Sequence, residues 1–167
     1  MKNDRKVAEL IEGILAKKDG EINTFEKNWE LAKQLSAKGK ITVDPILDKL
    51  FELKDKGKIE GEFSKNPIFC LIRVAVEHAG PKHAEKLAQM LLWDEICLDK
   101  DGSNRLFILS ALEKFGSIKI VPLLERHAER VKLIKYRPVP DGYSIKQLHE
   151  KDQRRVGRTI KACKKRI

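Results

Sequence analysis

Apolar positions recur at three- and four-residue steps along most of the chain, the spacing that lines one face of a helix. Val7, Leu10, Ile11, Ile14 and Leu15 form the first such face, and the pattern predicts a stop near Asp19–Gly20. Thr24 followed by Glu26 and Lys27 opens a second helix through Trp29, Leu31, Ala32 and Leu35, closed by Gly39. Asp44–Pro45 reads as a cap with proline in the first turn, ahead of Ile46, Leu47, Leu50, Phe51 and Leu53. Gly57 and Gly61 end that stripe, and Asn66–Pro67 starts a more uniformly apolar helix, Ile68 to Val76, that stops at Gly80–Pro81. Ala84, Leu87, Ala88, Met90, Leu91 and Leu92 follow on the next. The arrangement then returns, with Asn104–Phe115 and Ile118–Leu124 on either side of Gly116–Ser117. Two-residue alternation is confined to short runs at 58–63 and 132–139, so the predicted fold class is all-α.

The turns themselves repeat. Gly39, Gly80 and Gly116 are separated by 41 and 36 residues, a step typical of stacked helical hairpins. The stretches IRVAVEHAGPKHAEKLAQML and ILSALEKFGSIKIVPLLERH resemble repeats of the ARM/HEAT type, in which an apolar helix, a tight turn and a second apolar helix recur. The resemblance is strongest over 65–125 and looser over 25–62. It implies an α-solenoid of antiparallel hairpins that binds protein or nucleic acid in a groove and is rarely an enzyme. The aspartate and arginine usual in such repeat cores are not at matching positions, and the segment 93–102 is acidic.

The body predicted over 1–131 gives way at 132–143 to a linker or strap, where Pro138, Pro140 and Gly142 forbid a continuous helix. Ser144 can cap a last helix over 144–167. Its apolar positions, Ile145, Leu148, Val156, Ile160, Cys163 and Ile167, keep a helical rhythm broken only at Asp152. Lys151, Arg154, Arg155, Arg158, Lys161 and Lys165 keep the same rhythm on another face, giving a basic amphipathic helix docked on a single compact domain. Gly157 weakens its middle by about 1 kcal/mol against alanine, so full ordering is expected on contact with a partner.

Charge sharpens this picture. The net charge is +10, yet residues 1–125 hold 21 basic and 21 acidic side chains while 126–167 hold 14 and 4. The whole excess therefore sits in the last quarter of the chain, where it attracts polyanions. The candidate contacts are Arg126, Arg130, Arg137, Lys151, Arg154, Arg155, Arg158, Lys161, Lys164, Lys165 and Arg166. Aromatic residues make up only 6% of the chain, which argues for phosphate contacts over base stacking and for weak selectivity between RNA and DNA sequences. An anionic membrane surface would need larger apolar residues on the last helix. An acidic protein is the alternative partner, gripped in a groove lined by Lys82, Glu85, Lys86 and Gln89.

Catalytic and metal patterns fail one by one, and no cofactor or metal site is predicted. His149–Glu150 lacks the second histidine of a zinc-protease helix, and Asp99, Asp101 and Ser103 lack the glycine and the glutamate of a calcium loop, leaving Asn104 as part of a helix cap. His78 and His83 flank a turn without a further ligand at metal spacing. An enzyme acting on damaged DNA bases, with Trp93 and Asp94 converging, follows only from likeness of fold. Cys70 and Cys97 sit among apolar neighbours and read as buried, whereas Cys163, beside Lys161, Lys164 and Lys165, reads as an exposed thiol open to oxidation. Three scattered cysteines and a first segment interrupted by charges predict a cytoplasmic address.

Overall fold

The computed structural model describes residues 2–16, 25–59, 67–99, 102–135, 142 and 144–166. The described residues are all-α, without a strand. The stops at Asp19–Gly20 and Gly61, the opening at Thr24, Asn66, Arg137 and most of the 132–143 strap lie outside them. The chain divides into two compact units, Met1–Ala79 and Gly80–Ile167.

In the first unit, α1 (Lys2–Leu15), α2 (Phe25–Ser36) and α3 (Val43–Asp55) all pack on α4 (Pro67–His78). Sequence dictates which helix is central. Helices α1 to α3 each carry one apolar stripe, but α4 buries Ile68, Cys70, Leu71, Ile72, Val74 and Ala75, positions that wrap most of the way round the axis. A helix apolar on nearly all sides is stable only when surrounded. The Cys70 thiol is pushed up to about 11 by that burial. Polar ties sit at the margins: Lys49 Nζ reaches Glu12 at 2.7 Å, and the Arg73 guanidinium lies 6.0 Å from the centre of the Trp29 ring.

The second unit is built from α5 (Ala84–Met90), the short α6 (Asp94–Cys97), α7 (Ser103–Phe115), α8 (Val121–Val131) and α9 (Ile145–Lys164). Helices α7 and α8, expected to close on each other as a hairpin, scarcely meet; α9 lies along both instead, and α5 and α6 also reach both. The contacts give the directions. Asp152, Thr159, Cys163 and Arg166 meet Arg105, Leu109, Leu112 and Gly116 in that order, so α9 runs parallel to α7. Gln153 and Lys164 meet Ala128 and Glu125, so it runs antiparallel to α8.

Ser144 starts α9 as expected, with its Oγ accepting from Gln147 N at 3.2 Å and Gln147 Oε1 accepting from Ser144 N at 2.7 Å. At the other end the chain is clamped to the turn before α8: Ile118 N donates to Arg166 O at 2.9 Å, and Arg166 Nη1 donates to Gly116 O at 3.2 Å. Gly116 is required by closeness, because a Cβ there would stand 2.6 Å from Leu112 O and 2.7 Å from Cys163 Sγ. The first turn of α7 differs from expectation: Gly102, left-handed at φ 70°, precedes it, and Asn104 lies inside the helix, fully buried.

Candidate functional site

Two polar groupings stand out in the second unit, one outside and one inside. The outer grouping is the solvent face of α9. Between Lys146 and Lys165 the exposed residues are Lys146, Gln147, Glu150, Lys151, Arg154, Gly157, Arg158, Lys161, Lys164 and Lys165. Seven of these are cations and one is an acid; the exposed large apolar side chain of the helix, Ile145, stands just before them at its first position. The exposed positions of α8, by comparison, mix Glu125, Arg126 and Glu129, and those of α3 run Asp44, Asp48, Glu52 and Asp55.

The sequence-predicted cations separate by role. Arg126, Lys151, Arg154, Arg158, Lys161, Lys164 and Lys165 are exposed. Arg130 turns back to the Leu92 carbonyl and the Asp94 carboxylate, Arg155 donates to Ser110 Oγ, and Arg166 holds Gly116, so these three tie the unit together. Arg137 lies outside the described residues. Arg158 Nε is 3.7 Å from Glu113 Oε1, and these two, with Lys161, Ala162, Lys165 and Arg166, line a shallow depression of ≈ 490 Å³ between α7 and α9. A second depression, of ≈ 560 Å³, lies towards the start of α9 beside Lys146, His149, Glu150, Gln153 and Arg154.

The inner grouping escaped the sequence reading. Arg105, whose side chain is only 4% exposed, donates to Asp152 Oδ2 at 3.1 Å and to the carbonyls of Asp99 and Ile96. Beside it His127 Nδ1 lies 2.9 Å from Leu91 O and 3.5 Å from Cys97 Sγ. The imidazole therefore donates from Nδ1 to that carbonyl and stays neutral. Burial first, then the Arg105 guanidinium, pulls its pKa down to about 4. The Cys97 thiol is pushed up, chiefly by burial. A signal for these residues existed: Arg105, His127 and Asp152 each interrupt an apolar stripe on their own helix, and opposite charges set into two core-facing stripes invite pairing.

Cys163 corrects the sequence expectation. It is fully buried against Leu112 O at 3.5 Å, and burial raises its pKa, so the thiol is neither exposed nor activated. The lysines beside it in sequence point elsewhere. The turn histidines act locally: His83 Nδ1 accepts from Gly80 N at 3.0 Å, and His78 Nε2 lies 2.9 Å from Ser36 Oγ. Trp93 is buried and Asp94 is engaged by Arg130. In the alternative groove, Lys82 and Glu85 are exposed while Lys86 and Gln89 are half-buried.

No described helix is long and apolar enough to cross a membrane. Comparison of the chain with protein-family models, with curated proteins and with solved structures found no match.

Proposed function

We propose that this protein is a non-enzymatic binding module that engages nucleic acid, or a nucleoprotein through its nucleic acid, by the exposed face of α9. One observation carries the reading: from Lys146 to Lys165 the solvent side of α9 and its cap holds seven lysines and arginines and one glutamate, and the exposed large apolar side chain of the helix, Ile145, stands at its very first position. An interface for a folded protein needs an apolar or aromatic centre from which water is excluded. Phosphates need only cations held in register, and from Lys151 to Lys165 every exposed side chain is one. The helical body serves as scaffold, although the pairs that would form HEAT-type hairpins across Gly39 and Gly116, α2 with α3 and α7 with α8, scarcely meet.

The test is fluorescence anisotropy with labelled nucleic acid, titrated with salt, on the full chain and on a variant with Arg154, Arg158 and Lys161 changed to alanine. Arg155 is left in place because it anchors α9 to Ser110. Affinity is expected to fall steeply with salt in the parent, with a slope shallower by about 3 in the variant. Equal slopes in the two proteins would remove α9 as the contact face.

A further inference from the structure

Resting on that reading, we propose that the α9 face is built for the backbone of a double helix rather than for a single strand. The cations Lys151, Arg154, Arg158, Lys161 and Lys165 follow each other at three- and four-residue steps along one side of the helix. From first to last they span about 21 Å at 1.5 Å per residue. The row sits on a helix held at both ends. The capping box fixes its start, the Arg166 clamp fixes its end, and Val156, Thr159 and Cys163 are buried between them.

A single strand laid along such a row loses its flexibility, and proteins that bind single strands offset this by stacking bases on aromatic side chains, at about 1–3 kcal/mol per base. Among the described residues of this unit no aromatic side chain is exposed, with Trp93 buried and Phe107 and Phe115 partly covered; Tyr136 and Tyr143 lie outside them. A duplex is already ordered and carries one charge per roughly 1.7 Å of axis, so about 21 Å of row faces on the order of twelve charges. Between Lys146 and Lys165 α9 turns outward mainly lysines and arginines, with Gln147 the one amide among them, a set that suits phosphate oxygens more than a pattern of base edges. It therefore rides on phosphates, and binding varies little with sequence.

The experiment compares a 20-base-pair DNA duplex, the matching RNA duplex, each single strand and polyglutamate, on the full chain between about 50 and 200 mM salt. We expect at least one duplex to bind tenfold or more tightly than its single strands, with log K falling against log salt at a slope near −4 and thus about a 250-fold loss over that range. The DNA and RNA arms tell which double helix supplies the phosphates. Changing Arg158 and Lys161 to alanine should flatten the slope by about 2, while a charge-matched control, Lys40→Ala with Lys58→Ala in the first unit, should leave it unchanged. Single strands binding as tightly as duplexes overturn this inference and leave nucleic-acid binding standing. Polyglutamate binding as tightly as the duplexes, or no salt-sensitive binding at all, overturns both. An equal effect of the control pair removes the row as the seat.

Discussion

His127 is the residue with the sharpest consequence. Its neighbours are set by four helices and a turn: Arg105 on α7, Arg130 beside it on α8, Asp152 on α9, Cys97 on α6 and the Leu91 carbonyl. Two guanidiniums and burial oppose a proton there, and Asp152 offsets them only in part. The folded pKa is about 4 against an ordinary 6.5. Above pH 6.5 neither state holds the proton and stability is complete. As pH falls from 6.5 to about 4, only the unfolded chain gains it, and stability drops by up to about 3 kcal/mol. Urea unfolding at pH 7 and pH 4.5 measures this, and the acid loss should shrink in His127→Leu; an unchanged loss assigns it to other groups. The same residue shows why sequence reading stopped where it did. Periodicity finds a stripe and its interruptions, but whether an interruption is capped, paired or solvated depends on the helix opposite. Cys163 failed for a related reason. Lys161 and Lys165 are two residues away and hence about 200° round the helix, so charges adjacent in sequence stand on its far side.

At the scale of elements, α9 is a structural member of the second unit, and two glycines test this from opposite directions. Gly116→Ala forces a Cβ against Leu112 O, Cys163 Sγ and Ile120 Cδ1, all within 2.8 Å, and two of these atoms are backbone or fixed by packing. A destabilisation of about 1–3 kcal/mol is expected, read as a lower urea midpoint. Gly157→Ala meets nothing within 4 Å on the exposed side of the same helix. It should raise stability by roughly 1 kcal/mol, from helix propensity alone. Thermal melts that move the same way for both variants would contradict this placement of α9. The long helices, the Ser144 cap and the Gly116 turn were legible from spacing and turn chemistry, whereas the short α6 and the start of α3 at Val43, ahead of the expected Asp44–Pro45 cap, were not. The insertion of α9 between α7 and α8 was not, because a stripe of Val156, Ile160 and Cys163 states that a face is covered without stating by how many neighbours.

For the whole molecule, two compact units imply that losses in one need not spread to the other. Deleting 140–167 removes the helix that joins α7 to α8 and strips Val131 and Ile134 of the cover given by Leu148. Hydrogen exchange on the truncated chain should show protection lost over 80–135 and retained over 25–59. Protection kept throughout would mean that α9 is an appendage. Loss of nucleic-acid binding on truncation would thus follow from unfolding as readily as from missing cations, which is why exposed substitutions carry the functional test.

The parallel run of α7 and α9 has one more outcome. Parallel helices finish side by side, and each end presents unsatisfied carbonyls equivalent to about half a negative charge. Lys114, Lys164, Lys165 and Arg166 gather at those two ends. Part of the +10 is consequently spent inside the protein, as counter-charge to its own backbone dipoles. Arg154 and Arg158 lie more than a turn upstream of the tip of α9, beyond the reach of that end effect, so their charge is not drawn on by those dipoles.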